Sequence, residues 1–340
     1  MRVVAPDAEK ASPTAREPFD LPSAWSGPAL ASDPASWTHR LTPAEIADLD
    51  AALATARRAS RSLTTLRRED FPLTILGESV RSWAAQLHRG LGFLLVKGFP
   101  VERYDSADAA LAYYGLGLHL GTPVSQNAQG DLLGHVRDEG LPNPDHPSVR
   151  LYRTRKRQDF HTDGADVIGL LCLRAARQGG ASRIVSSVSV YNEILRRRPD
   201  LVEVLFQPFW FDRNDEQREG EPPAFALPIC REENGSLRTF YIGWYIRGAQ
   251  RHPEVPRLTA AQREVLALVE SIANDPAFHL DMHFEPGDIQ WLENSVILHA
   301  REAYEDWDEP ERQRHLLRLW LRAHDFASVE PLLRGGIPKR

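Results

Sequence analysis

Hydrophobic positions follow a helical spacing in the first third of the chain and an alternating one afterwards. Thr42-Pro43-Ala44-Glu45 is a capping box with proline at the first helical position, and it opens the segment IADLDAALATARR. Val80, Trp83, Ala84, Leu87 and Leu91 recur every three or four residues, which predicts a helix over 78–90 that Gly90 and Gly92 stop. GFLLVKGF follows as a short buried strand, and 106–118 reads as another helix. From about 131 to 325, runs such as IGLLCLRA, SRIVSSVSV, RTFYIGWYI and HLLRLWLRA are separated by Gly, Pro, Asn and Asp turns. That spacing predicts a mainly β fold, a sandwich or barrel with helices outside it. Two helices interrupt it, 260–273, capped by Thr259 and Gln262, and Tyr191–Arg198.

Residues 1–40, rich in Pro, Ala and Ser, read as an irregular arm that Trp25 and Trp37 pin to the body. The expected organisation is this arm, one domain over 41–325 with its β core at about 131–325, and a tail over 326–340. The stretch 207–238 is polar and turn-rich, long enough to be an insert or a lid.

Composition narrows the class. The 340 residues are 42% hydrophobic and 26% charged, ordinary for a globular chain able to bury a large core. A net charge of -6 argues against a nucleic-acid partner, which needs a basic field. No apolar run is long enough for a transmembrane helix, and the N-terminus lacks the apolar stretch of a secretory leader. Cys172 and Cys230 sit in apolar surroundings and read as two buried thiols, consistent with a reducing cytoplasm.

The sharpest local chemistry is Phe160-His161-Thr162-Asp163-Gly164. Alternate residues of a strand point to one face, so His161 and Asp163 can reach the same ion while Thr162 turns away. An imidazole with a carboxylate suits a first-row metal, and His299, at the end of the run SVILH, is the candidate third ligand. A rival cluster exists: His279, Asp281 and His283 alternate in FHLDMHF. A solvated strand face explains that pattern, and three ligands along one straight strand converge poorly on a single ion.

Arg314, Leu316, Arg318 and Trp320 share one face of the strand RHLLRLWLR, with Leu317, Leu319 and Leu321 on the other. Two guanidiniums on a face with Leu and Trp need anionic partners if buried. A guanidinium meets a carboxylate in a planar fork. An edge strand with solvated arginines is the alternative.

His-x-Asp, a distant His and an Arg-x-x-x-Arg strand together resemble the taurine dioxygenase-like family of iron(II)/2-oxoglutarate oxygenases, over roughly residues 75–325. The resemblance implies a double-stranded β-helix, the jelly roll of clavaminate synthase-like proteins. It implies Fe(II) on His161, Asp163 and His299, with 2-oxoglutarate and O₂ as co-substrates. Arg314 matches the arginine that grips the distal carboxylate of 2-oxoglutarate. Arg318 matches the second arginine of that strand, near co-substrate or substrate. Gly179-Gly180-Ala181-Ser182 looks like the family's Gly-Gly-x-Thr turn, with Ser182 supplying the hydroxyl; a plain hairpin is the alternative. Asn294, Arg301 and the Gly287-Asp288 turn fit as scaffold around His299. The implied reaction hydroxylates a substrate with succinate and CO₂ as co-products. The carboxylate of Asp163 argues against halogenation, since related halogenases lack it.

The family's substrate positions do not carry over residue by residue. Tyr152 and Arg157, in the basic stretch before His161, and Gln126 and Asn127 are candidates for an anionic or amino-acid-like small molecule. Trp210, Phe211, Tyr241 and Trp244 are further pocket candidates with core packing as the alternative, and Asp166 orients substrate or supports the metal loop. A homo-oligomer stays open. Two other classes compete: a zinc-dependent hydrolase or isomerase on the same sandwich, which has no need of Arg314, and a non-catalytic metal-binding jelly roll.

Overall fold

Two β-sheets packed face to face carry the site. The larger runs, in spatial order, Thr38–Arg40, Phe93–Lys97, Ile289–Glu293, Val167–Arg174, His315–Ala323 and Gly121–Pro123, with Leu133–Val136 also on His315–Ala323. The smaller runs Leu280–Met282, Ser182–Ser186, Ile297–Arg301 and Gln158–His161. All pairings are antiparallel except Thr38–Arg40 on Phe93–Lys97. This is the expected jelly roll, and the computed structural model describes residues 16–143, 149–217, 219–326 and 336–337 of it.

Alternation along His315–Ala323 sorts side chains between two cores. Leu317, Leu319 and Leu321 join one cluster with Leu49, Leu53, Val80, Trp83, Tyr113 and Trp291, under the helices Pro43–Ala59, Leu76–Arg89 and Ser106–Gly117. Trp320 belongs to the other cluster, with Ile168, Ile184, Leu292 and Leu298. Helix and sheet approach so closely that Gly169 has no room for a side chain: a Cβ there would lie 2.3 Å from the Trp291 ring and 2.4 Å from the Tyr113 hydroxyl. The outer helices begin where their caps predict. Thr42 and Glu45 form the reciprocal capping box of Pro43–Ala59, and Thr259 and Gln262 that of Ala260–Ala273.

Three expectations change. The described part of the arm is more than a loop: Gly27–Ala31 is a short helix and Thr38–Arg40 a parallel edge strand. The tryptophans do pin it. Trp25 Nε1 donates to Leu91 O at 2.8 Å, and its ring meets Phe93 edge-on with centroids 5.2 Å apart. The helix expected at Tyr191–Arg198 begins earlier, at Ser187, because Ser186 caps it. Within 207–238, Pro208–Asp212 pairs with Ala224–Pro228 and Cys230–Glu233 with Ser236–Thr239. Phe209, Phe211, Leu227 and Leu237 of these hairpins are buried, so the polar turns occupy only part of the stretch. Cys172 and Cys230 are free, buried thiols.

Truncating Trp25 removes both a hydrogen bond and a large apolar contact between arm and sheet. Trp25→Ala is expected to cost about 3 kcal/mol in equilibrium denaturation. An unshifted midpoint would mean the arm does not fold with the body.

Candidate metal centre

Register brings the two histidines together. Ile297–Arg301 pairs antiparallel with Gln158–His161 so that His299 stands directly opposite His161, with ring centroids 4.2 Å apart. His161 ends its strand, and the chain then turns through Thr162, which stays fully buried and whose hydroxyl accepts the backbone N–H of Tyr241 at 3.0 Å. The turn returns Asp163 to the site. Its Oδ1 lies 3.8 Å from His161 Nε2 and its Oδ2 3.6 Å from His299 Nε2.

The turn is held by Asn294. Its side-chain amide donates to Asp163 O at 2.7 Å and Ala165 O at 2.8 Å, and its carbonyl accepts the Asp163 N–H at 2.8 Å. Asp166, one of the undecided residues, is scaffold here: its carboxylate accepts the Ala323 N–H at 3.0 Å.

The donor set fits a divalent first-row metal. His161 Nδ1 lies 2.9 Å from Asp159 O, and a carbonyl can only accept, so Nδ1 carries the proton and Nε2 keeps its lone pair. Burial, then the neighbouring His299, lowers the His161 pKa to about 3, which keeps the ring neutral. Burial alone would push the Asp163 carboxyl up. The Arg318 guanidinium, 3.7 Å away, with His299 and His161, instead holds it well below the usual range. Trp320 Nε1 also donates to Asp163 Oδ2 at 3.0 Å, a partnership the alternation pattern did not reveal. Among the described residues this is the one group of three metal-ligating side chains whose donor atoms converge, all within 4.8 Å of one another. The rival does not assemble three ligands: His279 Nε2 lies 3.7 Å from Asp281 Oδ1, but His283 does not converge with them, Asp281 pairs with Arg183 at 2.7 Å, and His279 Nδ1 donates to Ala273 O at 3.2 Å.

A cavity of about 40 Å³ adjoins the triad, lined among others by Tyr152, Gln158, Ser182, Arg301, Arg314 and Arg318. The arginine strand is no edge: His315–Ala323 pairs on both sides, and Arg314 and Arg318 are 5% and 6% exposed. Burial lowers the pKa of Arg314 from its ordinary value, and its Nη1 is buried with no partner. Ser182 Oγ donates to Gln290 Oε1 at 3.1 Å. Gly180, at φ +73°, turns the chain so closely past Arg314 that a Cβ there would sit 3.3 Å from Nε.

Other candidates fall differently. Tyr152 lines the cavity with its ring 4.6 Å from the Arg318 guanidinium. Gln126 is 1% exposed and braces Arg318, accepting from Nε at 2.7 Å and donating to its backbone carbonyl at 2.8 Å, so it offers no free group to a substrate. Asn127 is spent on a turn, accepting from Gln129 N and Asp131 N. Arg157 points away, pairing with Asp159 at 3.0 Å and bonding Asn274. Trp244 stands 4.9 Å from the His161 ring, whereas Phe211 and Tyr241 are core. Trp210 packs with Ala224, Ala249 and Val255, away from the triad.

A jelly roll with this interior triad beside buried arginines defines a class, the oxidoreductases that depend on iron(II) and 2-oxoglutarate. The chain belongs to the taurine catabolism dioxygenase TauD, TfdA family, whose model matches residues 59–320. It is 32% identical over 314 residues to FR-33289 synthase of Streptomyces rubellomurinus (strain ATCC 31215), covering 90% of this chain and 91% of that one. It is 31% identical to taurine hydroxylase-like protein SAT17 of Stachybotrys chartarum (strain CBS 109288 / IBT 7711), covering 82% of this chain and 73% of the relative. The fold matches asparagine oxygenase, solved with Fe(II), 2S,3S-3-hydroxyasparagine and succinate, at TM-score 0.65 and 14% identity over 84% of this chain and 93% of that one. None of the described helices is long and apolar enough to cross a membrane.

Because the Asn294 side chain makes three hydrogen bonds to the backbone of the Asp163 turn, Asn294→Ala should weaken Fe(II) affinity by about 10–100-fold, measured by metal titration, with circular dichroism unchanged. Unchanged affinity would contradict this. Acid should also act on the metal-free protein through His161. Between its ordinary value of 6.5 and its folded value of about 3, the unfolded chain binds a proton there that the folded chain does not. Stability therefore falls as pH drops through that window, by at most about 1.4 kcal/mol per pH unit. His161→Gln should flatten that slope in denaturation series; an equal slope would contradict it.

Proposed function

We propose that this oxygenase hydroxylates a small anionic or amino-acid-like molecule, with iron(II) on His161, Asp163 and His299 and the distal carboxylate of 2-oxoglutarate on Arg314 and Ser182. The observation that carries this is Arg314. A guanidinium this deeply buried, with a nitrogen lacking any protein partner, is costly without an anion. Its cavity also reaches both histidines of the triad. A metal-dependent hydrolase would have no use for such a group.

Iron(II) and 2-oxoglutarate, when bound, supply an oxidation driven by decarboxylation to succinate and CO₂. The chain holds and orients them. Ser182 can turn its hydroxyl from Gln290 to the carboxylate, because a hydroxyl rotates to suit its partner. Leu316, Ile168, Val136 and Phe284 wall the cavity with apolar surface and limit water. Arg318, beside Asp163 and under Tyr152, sits where co-substrate and substrate would meet, and its positive charge favours an anionic substrate group. The names of the relatives agree with small polar substrates: taurine is a sulfonate, and hydroxyasparagine is an amino acid. The two free thiols support a reducing cytoplasm as its compartment.

A succinate-coupled screen across amino acids, sulfonates, aryloxy acids and natural-product intermediates tests this. Substrate-dependent succinate should require Fe(II) and vanish in His161→Ala. Arg314→Ala should raise the 2-oxoglutarate requirement by about 30-fold or more, with activity returning at high co-substrate. Unchanged turnover in His161→Ala would overturn the assignment.

A further inference from the structure

We propose that Arg301 is a second anchor for the distal carboxylate of 2-oxoglutarate, and that it ties co-substrate binding to the order of the Leu151–Lys156 segment. This rests on the co-substrate reading given above. Arg301 lies two residues after His299 on one strand, so the two side chains share a face, and both line the cavity with Arg314 and Ser182.

The guanidinium of Arg301 is divided in its duties. Nη2 donates to the carbonyls of Leu151 at 3.3 Å and Thr154 at 2.9 Å, and to that of Lys156. Nε and Nη1 are buried without any partner, although the residue is only 7% exposed. Arg314 mirrors this with its own unpartnered Nη1. The two cations lie against the Tyr304 ring at 5.2 Å and 4.9 Å, and the buried Tyr304 hydroxyl interacts with Arg314. The nearby carboxylates do not pair with either guanidinium, although Asp306 Oδ2 is buried beside them without a hydrogen bond. Asp306 Oδ1 accepts the backbone N–H of Arg314 at 2.7 Å, and Asp138 pairs with Arg155 at 2.7 Å. The unpartnered N–H groups of Arg301 and Arg314 beside one cavity are donors for a carboxylate that enters it.

The third nitrogen gives that site a reach. The segment held by Nη2 carries Tyr152, which packs on Arg318, and Arg318 stands 3.7 Å from Asp163. Fixing Arg301 from the co-substrate side therefore fixes the carbonyls that seat Tyr152 at the substrate side.

The test compares two ligands with the same keto-acid head on Mn(II)-loaded protein by calorimetry: 2-oxoglutarate, and 2-oxobutyrate, which has no distal carboxylate. Arg301→Gln should weaken 2-oxoglutarate by about tenfold or more and leave 2-oxobutyrate within about twofold. In the wild type, 2-oxoglutarate should slow trypsin cleavage after Arg153, Arg155 and Lys156; in Arg301→Gln it should not. Arg301→Lys, which restores the charge without the fork, should recover part of the affinity and little of the protection. Equal weakening of both ligands would reduce Arg301 to a structural role and overturn the proposal. So would normal 2-oxoglutarate affinity in Arg301→Gln while Arg314→Gln loses it. Normal affinity in Arg314→Gln would sink the co-substrate reading itself.

Discussion

Three guanidiniums, those of Arg301, Arg314 and Arg318, are buried inside an apolar sandwich whose triad contributes one carboxylate, Asp163. An uncompensated cation in such a place costs several kcal/mol, so the arrangement is stable only while the shell around it supplies dipoles and an anion can enter. The shell is visible. Gln126 braces Arg318, three backbone carbonyls take Arg301, and aromatic rings lie against each guanidinium. The metal site depends on the same charge, since Arg318 helps keep Asp163 ionised as a ligand.

Much of this was legible in the chain because it follows from period two. Alternation placed Arg314 and Arg318 on one face and the three leucines on the other, and the sheet keeps that division. The His161-x-Asp163 spacing put two ligands on one side of a strand end, His299 stood as the candidate third, and the resemblance matched all three to iron ligands. Capping boxes located helix starts to the residue because the cap is a local hydrogen bond.

What escaped the sequence depends on contacts between distant segments. Gln126 could not be known as a brace, because the arginine it holds lies 192 positions away. Trp320 shares a face with Arg318, but alternation does not show that its indole would find Asp163. Thr38–Arg40 is three residues of no marked pattern, and only docking against Phe93–Lys97 makes them a strand. Arg157, in a basic stretch beside the metal motif, looked available for substrate, yet a neighbouring carboxylate and a distant helix end claim it. Arg301 read as scaffold, which its bonds to three backbone carbonyls bear out, but its unpartnered Nε and Nη1 were not legible.

The central claim is that the buried positive charge awaits the carboxylate of 2-oxoglutarate, and thermal unfolding of the Mn(II)-loaded protein tests it most directly. Adding 2-oxoglutarate at about 100 times its dissociation constant should stabilise the wild type by about 2.7 kcal/mol. Arg314→Leu should be at least as stable as the wild type without co-substrate and gain almost nothing from it. An Arg314→Leu protein that is less stable yet still fully stabilised by 2-oxoglutarate would contradict the account.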